Sequence, residues 1–330
     1  MVRLLHELGA NVNTPKNNGA TPFYNAAEFG NVEMVTLLHE LGANVNTPDN
    51  GSRTPAYIAA SNKHLEVMSE LIRLQSDINT RDLFGSTPIS IGAEYGDLEM
   101  VKLLAENGAD IEQVDTFEQT PLFKATLGGH LNVVQLLAEL GANINTQNSN
   151  GDTPAHIAAA YGYLDIVKFL INKNTYIDKK DEDGLTPFLI ASKMGRLEVV
   201  KLFYRKLMKK YKIADDEKKQ EIIDYIEAAV SQGENEENIL LENDMNSKMD
   251  VVKFLKSSVR DMRNLKTVSR NNLSNIFDSE DVPEVIELTK NYLGSIGGKK
   301  QKKHKTKKSK TKKSKTKKSK TKKSKTKKHI

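Results

Sequence analysis

Between residues 164 and 170 the apolar positions Leu164, Ile166, Val167, Phe169 and Leu170 fall on one stripe at helical spacing. A stripe of that width cannot stay in water, so a neighbouring element has to cover it. The residues just before it predict that neighbour. Asn148 to Gly151 carry turn chemistry, Thr153 is placed to cap a helix through its hydroxyl, and Pro154 suits the first helical position, where its missing N–H costs nothing. Ala158 and Ala159 leave room for a close neighbour, and Gly162 permits the left-handed turn that ends the segment. The pattern over 148–175 therefore predicts a turn, a short helix, a second turn and an antiparallel helix.

The same pattern recurs along the chain. Thr-Pro falls at Thr21-Pro22, Thr54-Pro55, Thr87-Pro88, Thr120-Pro121, Thr153-Pro154 and Thr186-Pro187, each thirty-three residues from the last. Gly9-Ala10, Gly42-Ala43, Gly108-Ala109 and Gly141-Ala142 keep the same step, while Gln75-Ser76 and Asn174-Thr175 fill the slots that break it. The opening MVRLLHELGANVNTP returns from Met34 as MVTLLHELGANVNTP with fourteen of fifteen residues unchanged. A fixed period of this length signals stacked units, each burying the face of the next.

Taken together, the turn, GDTPAHIAAAYG at 151–162, the apolar second helix and GANVN at 42–46 resemble the ankyrin repeat. The resemblance covers residues 1 to about 210. It implies an all-α repeat solenoid: a stack of antiparallel helix pairs with β-hairpin-like fingers, followed by irregular helices and a disordered tail. On this reading residues 1–13 are a partial N-terminal repeat with a second helix only, and 14–210 are six repeats. Residues 211–298 are a divergent helical region with an acidic insertion, and 299–330 a disordered lysine-rich KTKKS tail. Met1 to Gly9 then lacks a first helix. A true start upstream is the favoured expectation, against a cap on Val2, Leu4 and Leu5.

Departures from the motif mark expected irregularities. Gly85, Gly151 and Gly184 hold the turn glycine, but Ser52 and Glu118 replace it, so those two fingers are expected to differ in shape. The histidine after Thr-Pro survives only as His156, its slot elsewhere holding Tyr24, Tyr57, Ser90, Phe123 and Leu189. His156 reads as a structural hydrogen-bonder, because no catalytic partner accompanies it.

Beyond Phe203 the second helix of the last repeat runs on through YRKLMKKYK and reads as a cap on the stack. Residues 215–230 predict an amphipathic helix opened by acids, and SQGENEEN then breaks the pattern. DVVKFL at Asp250 to Leu255 echoes DIVKFL at Asp165 to Leu170, which predicts a decayed helix pair split by an acidic insertion around Glu234 to Asn246. A last helix is expected over Val282 to Leu293, released by Gly297-Gly298.

Charge changes this picture at one end only. From Lys299 onward there are nineteen lysines and no acid, while residues 1–298 hold 30 basic and 43 acidic residues, a net of −13. The tail can neutralise phosphates, but without aromatic residues it has no platform to read bases. It also offers a nuclear address, and Ser309, Ser314, Ser319 and Ser324 are places where phosphate would weaken its contacts. Lysine-rich ends after such a glycine pair resemble those of proteins from large DNA viruses. Cysteine is absent, no run is long and apolar enough for a membrane span, and the N-terminus does not read as a signal peptide. An intracellular protein, cytoplasmic or nuclear, is expected.

Chemical motifs appear only as near misses. GSIGGKK from Gly294 lacks P-loop spacing and a following Ser or Thr. KKDEDGLTPFLI from Lys179 places Lys179 and Ile190 where a calcium loop needs ligands. No enzyme, no cofactor, no metal and no small-molecule substrate is expected. Surface chemistry is more informative: Phe84 and Phe117 take equivalent fingertip positions, flanked by Leu83 and Arg53, and Tyr95 and Tyr161, with Phe29, precede the glycine that ends a first helix. Exposed aromatic and arginine clusters favour partner binding. Arg53, Phe84, Tyr95, Phe117 and Tyr161 are the candidate contacts of a protein–protein scaffold; the alternative is a polyanion-tethered adaptor acting through the tail.

Overall fold

The computed structural model describes residues 1–173, 177–213, 216–234 and 242–267, and every regular element among them is helical. Helix α1 (Val2–Glu7) precedes six pairs. These are α2 (Pro22–Glu28) with α3 (Val32–Glu40), α4 (Pro55–Ser61) with α5 (Leu65–Arg73), and α6 (Pro88–Glu94) with α7 (Leu98–Glu106). Then come α8 (Pro121–Leu127) with α9 (Leu131–Glu139), α10 (Pro154–Tyr161) with α11 (Leu164–Asn172), and α12 (Pro187–Lys193) with α13 (Leu197–Ile213). Helices α14 (Asp216–Glu234) and α15 (Glu242–Thr267) follow.

All six Thr-Pro pairs start a helix at the proline, as the sequence predicts. The threonine hydroxyl closes the first turn, accepting from Tyr24 N–H at 3.1 Å, Tyr57 N–H at 3.3 Å and Phe123 N–H at 3.2 Å. First helices pack on first helices and second helices on second helices, giving two rows back to back. Between the rows Phe23, Ala59, Ile89, Leu122 and Ala159 of the first row and Leu71, Leu104, Leu137 and Leu170 of the second are buried. Each large aliphatic side chain so covered contributes about 1.5–3 kcal/mol.

Three polar seams join successive repeats. Along the fingers a backbone ladder runs from repeat to repeat: Asn50 N–H donates to Asn18 (2.9 Å), Leu83 to Gly51 (3.2 Å), Thr116 to Phe84 (2.9 Å), Ser149 to Phe117 (3.0 Å) and Glu182 to Asn150 (3.1 Å). Each finger also closes on itself like a short hairpin, with Asp49 N–H to Arg53 O at 2.9 Å and Asn148 N–H to Asp152 O at 2.9 Å. The loops are too short for a strand among the described residues. At the far end of the first helices, side chains of the next repeat satisfy orphan carbonyls: His64 Nε2 reaches Glu28 O (3.0 Å), His130 Nε2 reaches Glu94 O (3.0 Å) and Arg196 Nε donates to Ala160 O (2.8 Å). The third seam is an asparagine ladder after the second helices. Asn44 N–H donates to Asn13 Oδ1 (2.8 Å), Asp77 N–H to Asn46 Oδ1 (2.9 Å) and Asp110 N–H to Asn79 Oδ1 (2.9 Å).

Two local expectations need correction. Ser52 and Glu118 do not give their fingers another shape: both enter the left-handed region, at φ 60° and 58°, beside Gly85 at 79° and Gly151 at 76°. The turn is imposed from outside the replaced residue, because Asp49 Oδ1 accepts from Gly51 and Arg53 N–H and Asp115 Oδ1 from Phe117 and Gln119 N–H. Farther on, α14 runs past Val230 to Glu234, and α15 starts at Glu242, inside the stretch read as an insertion.

The two last helices continue the rows. Helix α14 lies on α12 as α12 lies on α10. Its Tyr225 hydroxyl meets Thr186 Oγ1, and its ring lies 5.3 Å from that of Phe188. Phe254, within the DVVKFL echo on α15, stands edge-on to Tyr204 of α13 at 5.3 Å, and Arg263 pairs with Glu227. The Asn174-Thr175 slot, the helix expected over Val282 to Leu293, Gly297-Gly298 and the lysine tail lie outside the described residues.

His156 is the structural hydrogen-bonder that its isolation suggests. It is fully buried, with Nδ1 at 2.7 Å from Thr153 Oγ1 and accepting from Thr153 N–H at 3.1 Å, while Nε2 donates to Leu185 O at 3.2 Å. Burial pushes its pKa below the ordinary histidine value, against the opposing pull of its carbonyl bond to Leu185.

Two outcomes are expected from these observations. Glu118→Gly relieves a left-handed residue and should raise stability by roughly 0.5–1 kcal/mol, whereas Gly151→Ala should lower it by about 1 kcal/mol or more. The added Cβ of the latter would stand 2.9 Å from Glu182 N. Urea unfolding of both variants checks the pair, and an unchanged or lowered midpoint for Glu118→Gly would show an unstrained turn. For His156 the folded pKa lies below the unfolded value near 6.5. The unfolded chain therefore binds the extra proton, and stability falls as pH drops below about 6.5. The cost of His156→Leu, measured by urea unfolding, should accordingly be smaller at pH 5 than at pH 7.5.

Candidate functional site

Five side chains singled out by position are all solvent-facing: Phe84 is 65% exposed, Phe117 55%, Tyr161 51%, Tyr95 45%, and the Arg53 side chain 45%. The aromatic residues at the starts of first helices are not, since Phe23, Phe123 and Phe188 are buried. Among the described residues, aromatic exposure of this size falls at two places in the repeat, the fingertips and the ends of first helices. Leu83 and Phe29 belong to the same two places, at 65% and 75% exposed.

The finger ladder brings Phe84 and Phe117 side by side, because Thr116 N–H holds the Phe84 carbonyl at 2.9 Å and Ser149 N–H holds that of Phe117 at 3.0 Å. Arg53 stands in the preceding finger. Its guanidinium is engaged, with Nε donating to Asp49 Oδ2 at 2.8 Å and Nη2 at 2.5 Å. Burial alone would raise the Asp49 carboxyl, but the Arg53 bonds and two turn N–H groups outweigh it and hold it below the usual carboxylate range. Tyr24 also donates to Asp49 Oδ2, at 3.3 Å.

Tyr95 and Tyr161 form a separate group at the opposite end of the first helices. They stand two repeats apart, with Gly128 at the intervening position. Tyr161 stacks on Tyr163 at 5.6 Å with an interplanar angle of 10°, and the Tyr163 hydroxyl reaches Leu127 O at 3.5 Å. The five residues thus make two aromatic edges. Helices of seven or eight residues separate them, a span of roughly 10–12 Å at 1.5 Å per residue.

Between these edges lies a charge network that residue-by-residue reading overlooks. Lys124 is buried on α8, with Nζ at 3.1 Å from Glu94 Oε2 on the preceding first helix and 3.1 Å from Asp115 Oδ2 on its own finger. Burial would lower its pKa, but the two carboxylates outweigh that and raise it. The available signal was an aspartate recurring every thirty-three residues at Asp49, Asp82, Asp115 and Asp181, with Asn148 completing the column.

Nothing in this arrangement pairs a nucleophile with a base. Among the described residues no group of three or more His, Asp and Glu side chains is placed to hold a metal ion, and no helix is long and apolar enough to cross a membrane. What the surface can do is present aromatic edges on a rigid frame. Lys124→Met should destabilise by roughly 2–4 kcal/mol, because it leaves the buried Asp115 without its cation. Asp115→Asn in the same chain should restore part of the loss; urea unfolding of both singles and the double measures this, and strict additivity would show that the pair is not coupled.

A family profile described as ankyrin repeats (3 copies) matches residues 1–82, 57–148 and 141–215. Among curated proteins no relative matches the chain.

Proposed function

The chain belongs to the ankyrin-repeat family, whose repeats are generally protein–protein interaction modules, and on that premise we propose a non-enzymatic scaffold or adaptor. It holds a protein partner against the fingers and the first-helix row, with Arg53, Phe84, Tyr95, Phe117 and Tyr161 at the centre of the contact. The observation that carries this reading is selective aromatic exposure: among the described residues the aromatic side chains most open to solvent, Phe29, Phe84, Tyr95, Phe117 and Tyr161, stand at the tips and helix ends. Open aromatics in a fixed frame have the area and the low entropy cost of binding hot spots.

Affinity capture from cell extract tests the reading by comparing the full chain, residues 1–298 and a joint alanine replacement of the five residues. Partners should be lost with the alanine variant, kept without the tail and kept at high salt. Equal capture by a folded alanine variant would overturn the proposed surface. Partners lost with the tail and with salt, on a log–log slope near −5 for about six phosphates, would instead establish polyanion binding.

A further inference from the structure

Resting on that reading, we infer the chemistry of the partner: an apolar segment that packs on Leu83, Phe84 and Phe117 and carries lysine or arginine on the side that faces the fifth and sixth fingers. Fingertip positions change character along the ladder. They run from Asn17 and Asn18 through Asn50 and Gly51 to Leu83 and Phe84, then Thr116 and Phe117, then Ser149 and Asn150, and end at Glu182 and Asp183. Because each tip is joined to the next by a backbone hydrogen bond, this order in sequence is an order in space, and the apolar tips are followed by the polar Ser149–Asn150 tip and then by an acidic one.

Two of the nearby cations are already committed elsewhere. Arg53 is engaged by Asp49, and Lys124 is buried between Glu94 and Asp115. Glu118, Glu182 and Asp183 are exposed, Asp152 and Asp181 are half-buried, and among the described residues none of these five takes part in an ion pair. Lys179 and Lys180 at the base of the sixth finger offset only part of this charge. Asp181 gives one oxygen to Leu185 N–H at 2.7 Å. Asp152 is crowded by burial, then by Asp181 and Asp183, which together raise its pKa; an incoming cation would relieve that repulsion.

A basic segment therefore meets complementary potential here, and an acidic one meets repulsion at both the tips and the Asp152 shelf. The apolar tips anchor the segment, and the carboxylates set its direction across the fingers. Neither part alone specifies the partner.

Phage-displayed random dodecapeptides, panned on the full chain, on Phe84→Ala/Phe117→Ala and on Asp152→Asn/Glu182→Gln/Asp183→Asn, test this inference. Asp181 is left intact so that its turn bond survives, and urea unfolding confirms that both variants fold. The expected result is a set of peptides that are lost on the phenylalanine variant and enriched in Lys and Arg next to apolar residues. Synthetic copies should bind the carboxylate variant about tenfold more weakly. Peptides that need Phe84 and Phe117 but show no basic bias, and bind the carboxylate variant equally, would overturn the inference while leaving the proposed surface standing. Basic peptides indifferent to the phenylalanines would overturn docking at the tips. Failure to select any peptide dependent on Phe84 and Phe117 would count against the surface itself.

Discussion

Seven residues make two turns of helix, and two turns of helix do not persist alone in water. Every first helix from α2 to α8 has that length, so each exists only because the next one covers it. The small faces at Ala26, Ala59, Ala93, Ala125 and Ala159 follow from this constraint, since only a small side chain lets two such helices come close enough to bury their ends. The three polar seams follow too. A short helix has a high proportion of unpaired terminal groups, and these must find partners in the neighbouring repeat.

That dependence explains why the repeat was legible from its sequence and why particular details were not. Thr-Pro specifies a start through local chemistry alone, and all six starts fall where Thr21 to Thr186 place them. Ser52 and Glu118 misled because a missing glycine was read as a changed turn. The turn at each site is set by Asp49 or Asp115 accepting two backbone N–H groups, and by neighbouring fingers bonded on either side, so a non-glycine residue is carried into the left-handed region. Lys124 was illegible for a different reason. It has the spacing of an ordinary helix surface position, and only stacking places Glu94, thirty residues earlier, beside it. The end of the array shows the same override, where α14 and α15 keep the two rows going after the Thr-Pro and Gly-Ala signals have vanished.

A frame of this kind confines variation to few places. Residues between the rows are fixed by packing, and those on the seams by hydrogen bonds between neighbouring repeats. Fingertips and first-helix ends carry backbone bonds that do not depend on the side chain, so Asn18, Gly51, Phe84, Phe117, Asn150 and Asp183 can occupy one structural position with unrelated chemistries. Recognition can change there without altering the fold.

The aromatic tips gain from this separation. The backbone of Phe84 is held by the next finger at 2.9 Å, so a partner meets a side chain whose main chain is already ordered and loses only rotamer freedom on contact. Two cations close to this surface, Arg53 and Lys124, are held just as firmly by carboxylates. The ion pairs of Arg53 and Lys124 thus do two things at once: they stabilise the fingers, and they remove positive charge from the face that a partner approaches. The same interactions that keep the short helices in register therefore leave the surface apolar at its centre and acidic toward the last fingers.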